Sequence, residues 1–133
     1  MGITFPRVGL TMELGSTFLL PRLIGVSNAA EMMFTGRHFT AEECYRKGLV
    51  SYVVPGDKLM DKAREVAGEM LQCSPTSLSY IRRALYNGMK GTIDNALAFE
   101  SLAMEQCYLS PEHKEYVTAF MEKRKPDFRR LKR

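Results

Sequence analysis

The sequence predicts a mainly α-helical protein with one or two short strands. Helix-start signals recur along the chain, each a hydroxyl or acidic residue ahead of a proline or of periodic apolar residues. Strand-like segments are limited to residues 3–10 and 49–54. The 133 residues are 45% hydrophobic and 26% charged, which is typical of a globular domain with its own core.

The N-terminal elements are a candidate strand, at residues 3–10, followed by two helices. Residues 15–17, Gly-Ser-Thr, are typical of a helix start and precede an apolar run. Ser27 is expected to cap a second helix, which continues to about Phe34 and ends at Gly36.

A short helix and the second candidate strand follow. Thr40 and Glu43 have the spacing of a capping box, in which each side chain bonds to the backbone N–H of the other residue. The helix that they start is expected to end at Gly48. Residues 49–54, Leu-Val-Ser-Tyr-Val-Val, favour a strand, and Pro55 stops it.

The rest of the chain is predicted to form four helices, each with its own start signal. The expected N-caps are Asp57, Ser74, Thr92 and Ser110, and the second and fourth precede a proline at the first helical position. Pro126 bounds the last helix. The helix after Asp57 has apolar residues at helical spacing, namely Leu59, Met60, Ala63, Val66, Ala67, Met70 and Leu71.

Two short strands separated by roughly forty residues do not make an independent sheet. One interpretation is that both belong to a sheet supplied by another part of a larger protein. The alternative is that they pair as a minimal ribbon over a helical domain.

Charge is concentrated at the C-terminus. Residues 122–133 contain seven Lys or Arg and two acidic residues, a balance of +5, so the rest of the +4 chain sums to −1. A basic segment can hold phosphate, although most charge runs are simply solvated. Nucleic acid is disfavoured, because only Phe128 interleaves with these basic residues and no nucleic-acid motif is present.

Cysteine usage and hydropathy indicate the compartment. The three cysteines are widely spaced without metal-ligand spacing, which favours free thiols in a reducing environment. No apolar run approaches the roughly 18 residues of a membrane span, and the N-terminus has no secretory pattern. We therefore expect an intracellular protein, in the cytoplasm or an organelle matrix.

Glu13 is the candidate catalytic residue. It is a lone carboxylate among Leu10, Met12 and Leu14, just ahead of the predicted helix start. A carboxylate removed from water holds a proton more readily, and can then exchange one near neutral pH. The alternative from spacing alone is a solvated loop glutamate.

Four segments of the chain carry a family resemblance. Residues 9–25, GLTMELGSTFLLPRLIG, resemble the motif G-L-x-P-E/D-x-G-S/G-T-x-x-L-P-R-x-x-G of the crotonase (enoyl-CoA hydratase/isomerase) superfamily. Residues 30–36, 39–50 and 119–128 resemble later motifs of that family, in the same order. The resemblance implies the C-terminal helical part of the α/β crotonase fold, with an N-terminal half missing. Residues 1–56 would be the end of the crotonase core with a catalytic-loop segment, and residues 57–133 a helical region for oligomerisation and for covering CoA.

The resemblance also implies a role for Glu13. This position bears the acid/base carboxylate in Δ3,Δ2-enoyl-CoA isomerase-like members, whose oxyanion hole would lie in the missing half. Hydratases that use two carboxylates have one at the position matching Phe5 or, with a gap, Arg7. Neither residue can act as a base, which favours isomerisation. Met12 replaces the usual proline.

The C-terminal motif implies contacts to CoA. Phe120 and Lys123 match residues that approach the adenine and phosphates, and their spacing predicts that one helical face presents both. Tyr116 replaces the family's usual glycine. The resemblance further implies an acyl-CoA thioester substrate, no metal, no separate cofactor, and a homo-oligomer, a trimer or dimer of trimers. The alternative function is a catalytically inactive assembly or regulatory module.

Overall fold

The structure is a computed structural model that describes residues 1–131, and it consists mainly of helices. The seven α-helices within this part are α1 Ser16–Ile24, α2 Val26–Thr35, α3 Ala41–Arg46, α4 Leu59–Met70, α5 Pro75–Gly88, α6 Ile93–Leu109 and α7 Pro111–Met121. Short 3-10 helices are formed by Phe5–Val8, Gly56–Lys58 and Phe128–Arg130. The mainly α-helical class is confirmed.

The chain divides into two compact units, Met1–Leu59 and Met60–Arg133. The division falls after Leu59, close to the predicted boundary after Gly56. The functional roles expected for the two parts stay predictions.

The first unit is built around α1 and α2, which pack on each other. Its buried core residues are Ile24, Ala29, Met32, Phe39 and Cys44, with Ile3, Leu20, Leu49 and Val50 packed against them. The predicted capping box at the start of α3 is confirmed: the Thr40 hydroxyl accepts from Glu43 N–H at 3.1 Å, and the Glu43 carboxylate accepts from Thr40 N–H at 2.8 Å.

The strand predicted at residues 3–10 is wrong. Phe5–Val8 is a 3-10 helix with Pro6 in its first turn, and it ends at Gly9 in the left-handed conformation. Proline fixes φ and donates no hydrogen bond, so it favours this turn over a strand interior. The N-terminus contributes only an isolated antiparallel bridge between Gly2 and His38.

The strand predicted at residues 49–54 is also wrong for this chain. The segment has no strand assignment, and no ladder partner is present among residues 1–131. Leu49 and Val50 instead pack on the first unit's core. The minimal ribbon is therefore excluded within the described residues.

In the second unit α5, α6 and α7 pack in sequence along the chain. The predicted caps Ser74, Thr92 and Ser110 are confirmed, because each side chain accepts a backbone N–H three residues further on. Two other predicted caps are wrong: Gly25 rather than Ser27 precedes α2, and a 3-10 turn containing Asp57 leads into α4. Within residues 1–131, no helix combines the length and apolar character needed to cross a bilayer.

Candidate functional site

Glu13 lies in a sharp turn that leads into α1. Leu14 (φ 54°) and Gly15 (φ 72°) both adopt the left-handed conformation, and the Glu13 carbonyl accepts from Ser16 N–H at 3.0 Å. A left-handed non-glycine residue costs about 1–2 kcal/mol. The turn therefore holds Glu13 at the N-terminus of α1 against a local conformational cost.

The apolar surroundings expected for Glu13 are not present in this chain. Glu13 is exposed, Leu14 is 90% exposed and Leu10 is 60% exposed. No described residue bonds to the Glu13 carboxylate. Of the two alternatives that the spacing left open, the structure agrees with a solvated loop glutamate, because the neighbouring apolar side chains face solvent rather than covering the carboxylate.

The positions that would bear a second carboxylate have a structural role. The Arg7 guanidinium donates to the Thr35 carbonyl at 3.2 Å, at the end of α2. The Arg7 side chain also lies against Gly36, where an added Cβ would meet Arg7 Cγ at 2.9 Å. Arg7 thus closes the C-terminus of α2, and Phe5 sits in the 3-10 turn beside it.

Phe120 lies near the end of α7, in the second unit, and is 70% exposed. Its ring is stacked with that of Tyr116, one turn earlier, with centroids 6.5 Å apart and planes 22° from parallel. Ala119, between them, is fully buried. The helix therefore buries one side and presents a pair of aromatic rings on another.

The spacing of Phe120 and Lys123 predicts that both lie on one helical face, but Lys123 lies beyond the end of the helix. The helix ends at Met121, and Lys123 has φ 54°. Its N–H donates to the Phe120 carbonyl at 3.1 Å, and Arg124 N–H donates to the Ala119 carbonyl at 3.0 Å. These two bonds form a Schellman motif, in which Lys123 occupies the position that glycine usually takes.

The next residue, Arg124, is held by carboxylates. Its guanidinium lies 2.6 Å from Glu115 and 2.6 Å from Glu122. Glu115 also accepts from Asp127 N–H at 2.9 Å. The Arg124 guanidinium, aided by this N–H, lowers the pKa of Glu115 to about 2. No described residue pairs with the ammonium groups of Lys123 or Lys125, so these remain open to an anionic ligand.

The predicted residues are thus distributed over both units, Glu13 in the first and Phe120 with Lys123 in the second. Tyr116 was recognised from sequence only as a departure from glycine. Its four-residue spacing to Phe120 is the signal that would have indicated the ring pair. Among residues 1–131 no three His, Cys, Asp or Glu side chains are grouped as a metal site requires, and the absence of a metal or cofactor stays a prediction.

Comparison with known proteins places this geometry in a family. The sequence profile of the enoyl-CoA hydratase/isomerase family matches residues 1–131. The chain is 40% identical over 122 residues to a short-chain-enoyl-CoA hydratase of Clostridium acetobutylicum, covering 90% of this chain and 47% of that protein. It is 36% identical over 125 residues to a crotonyl-CoA hydratase of Syntrophomonas wolfei, covering 92% of this chain and 48% of that protein.

The fold agrees with these sequence matches. The crystal structure of an enoyl-CoA hydratase from Bacillus anthracis superposes with a TM-score of 0.91 at 35% identity, covering 96% of this chain and 49% of that one. The chain spans about half the length of the proteins that it matches. The comparisons do not confirm that it is a C-terminal region, nor that isomerases are closer than hydratases. They do show that the chain belongs to the enoyl-CoA hydratase/isomerase family, the crotonase superfamily.

Proposed function

We propose that this chain binds an acyl-CoA thioester and supplies Glu13 as the acid/base of an enoyl-CoA isomerase. The carboxylate would remove a proton from C2 of a 3-enoyl-CoA and leave a thioester dienolate. It would then return the proton to C4, so that the double bond moves to C2–C3. An acyl-CoA substrate fits the family to which the chain belongs.

The observation that carries this proposal is the contrast between Glu13 and the two positions where a second carboxylate would be expected, Phe5 and Arg7. Glu13 is exposed at the N-terminus of α1 and is unpaired among residues 1–131. Arg7 is committed to the Thr35 carbonyl, and Phe5 has no proton to exchange. A single available carboxylate suits a proton shuttle between two carbons better than a two-carboxylate hydration.

The dienolate needs stabilisation that Glu13 does not give. Donors aimed at the developing oxyanion supply a large share of the rate in such reactions. In this proposal they come from the part of the family protein that this chain does not span. That part would also cover the apolar side chains around Glu13 and remove water from the carboxylate.

A chimaera tests the proposal. This chain would replace the segment that it matches in the Clostridium acetobutylicum hydratase, and turnover would be measured with trans-3-hexenoyl-CoA and with crotonyl-CoA. We expect isomerisation of the first substrate. Glu13→Gln should lower kcat by about 10²-fold or more, with KM little changed, because it removes general acid–base catalysis but not binding.

Glu42→Gln is the matched control, since Glu42 is an exposed glutamate of α3 in the same unit. It should leave turnover unchanged. Normal isomerisation by the Glu13→Gln chimaera would overturn the assignment.

The alternative is an inactive assembly or regulatory module, which the amount of exposed apolar surface favours. Large apolar side chains such as Phe34 and Met121 are 83% and 75% exposed. A folded chimaera that binds crotonyl-CoA but turns over neither substrate would support this function instead.

A further inference from the structure

Two of the three cysteines line one recess of the second unit. Cys73 lies in the turn between α4 and α5, and Cys107 lies in the last turn of α6. Both belong to the wall of a cavity of about 320 Å3. The third cysteine, Cys44, is buried in the core of the first unit. The recess therefore brings together two thiols that are far apart in sequence.

The first turn of α5 connects the two cysteines. Ser74, the residue after Cys73, caps α5 by accepting from Ser77 N–H at 3.1 Å. The Ser77 hydroxyl in turn donates to the Cys107 sulfur at 3.8 Å. Both serines also line the recess. The two thiols thus share one wall with the helical turn that links them.

The two thiols differ in their access to solvent. Cys73 is exposed, and its thiol donates to the Glu69 carbonyl at 3.8 Å, which is a weak interaction. An exposed side chain of this kind changes rotamer rapidly. Cys107 is half-buried. Within α4, all of which the structure describes, no residue is buried, so little packing opposes an adjustment of the turn that carries Cys73.

From this arrangement we infer that Cys73 and Cys107 form a dithiol site for small disulfides such as oxidised glutathione, and that exchange at this site closes an intramolecular disulfide. The exposed Cys73 thiolate attacks one sulfur of the small disulfide, forms a mixed disulfide and releases one small thiolate. The Cys107 thiolate then attacks the Cys73 sulfur and expels the second small thiolate. The two protons that the cysteines lose are taken up by the released thiolates, so two protein thiols are oxidised and one small disulfide is reduced.

This bond would tie the turn between α4 and α5 to the end of α6. Disulfide geometry requires the two Cα atoms to lie within about 7 Å of each other, a condition that any adjustment of the turn has to satisfy. A cross-link between positions 73 and 107 restricts the unfolded chain, and it therefore stabilises the folded one. Exchange with a small disulfide would make the stability of the second unit depend on redox conditions, independently of the proposed function.

Thiol–disulfide exchange on the full-length chain tests this inference. Reduced protein would be incubated with oxidised glutathione, quenched with acid, and measured by intact mass and by peptide mapping without reductant. We expect the wild type to lose two hydrogens and to yield a linked peptide pair that contains Cys73 and Cys107. Cys107→Ser should stop at the mixed disulfide on Cys73, at a level roughly tenfold or more above the wild type, because the intramolecular second step is missing.

Cys44→Ser is the matched control, since Cys44 is 2% exposed and lies in the other unit. It should form the disulfide as the wild type does, and circular dichroism would verify that each variant keeps its helices. The extent of bond formation should not change with protein concentration, because the bond lies within one chain. The oxidised wild type should melt about 5 °C or more above its reduced form.

Three results would overturn the inference. If the wild type accumulates the mixed disulfide as Cys107→Ser does, the Cys107 thiol does not reach Cys73. A disulfide that forms between two chains, or that requires Cys44, would exclude the recess as the site. A melting temperature that does not rise on oxidation would show that the bond forms only in opened molecules.

Discussion

Two non-glycine residues among residues 1–131 have positive φ, and both lie at proposed site positions. Leu14 follows Glu13, and Lys123 follows the aromatic pair on α7. A side chain in this conformation is tolerated when the surrounding structure holds it there, and such strain is concentrated at functional sites. At both places glycine would fit better, so the side chain is retained at a cost in stability.

Replacing Lys123 by glycine should therefore separate stability from binding. Lys123→Gly relieves the left-handed strain at the Schellman position, and we expect it to raise the free energy of unfolding by about 0.5–1 kcal/mol. It should also weaken CoA binding, since it removes an ammonium group. Chemical denaturation and calorimetry would measure the two effects.

Lys125→Gly is the control for this prediction, because Lys125 is not left-handed. It removes the same charge without relieving strain, so the chain should not become more stable. A loss of stability in Lys123→Gly would show that the lysine conformation is not strained.

At the scale of the elements, the sequence predicted correctly those features that depend only on neighbouring residues. The Thr40 capping box and the Ser74 cap were found because each needs only residues three apart in sequence. Residues 49–54 have a strand composition but no partner in this chain, and pairing depends on distant residues. The end of α7 was missed because a lysine in a glycine position gives no sequence signal.

Glu115, on α7, connects this helix to the segment that follows it. Its carboxylate pairs with the Arg124 guanidinium and accepts a hydrogen bond from Asp127 N–H. Its pKa is lowered from 4.5 to about 2 by the Arg124 guanidinium and the Asp127 N–H. A lowered carboxylate pKa contributes stability that is fully present above the unfolded value, about 4.5, and is lost as the pH falls toward about 2.

Urea unfolding of wild type and Glu115→Gln between pH 6 and pH 2 would measure this contribution. The wild type should have a higher free energy of unfolding than Glu115→Gln at neutral pH. This difference should disappear as the pH falls from about 4.5 to about 2. Glu105→Gln, at an exposed position on α6, should show no such dependence. If the wild type stayed more stable than Glu115→Gln by the same amount down to pH 2, the ion pair between Glu115 and Arg124 would not be the source of this stability.

At the scale of the whole molecule, few side chains are buried for a chain of this length. Among residues 1–131 the buried hydrophobic residues are Ile24, Ala29, Met32, Met33, Phe39, Cys44, Ala103 and Ala119. Helix α6 illustrates the deficit, because Leu97 and Leu102 are 56% and 66% exposed although α5 and α7 pack on this helix. Glu13 is another example, because it and the neighbouring side chains of Leu10 and Leu14 are exposed rather than buried.

This surface predicts that the chain self-associates. Monomeric proteins rarely expose contiguous apolar patches larger than a few hundred Å2. Association with a partner covers such a patch and removes its apolar area from water, which is favourable. Sedimentation at increasing concentration should show species larger than one chain, and a hydrophobic dye should bind.

The double variant Leu97→Glu with Leu102→Glu should shift the chain toward smaller species, because a charge at either position would have to be desolvated on association. Glu105→Gln, on the same helix, should sediment as the wild type does. A monodisperse monomer that binds no dye would show that these apolar faces do not drive association, and would contradict the homo-oligomer that the family resemblance implies.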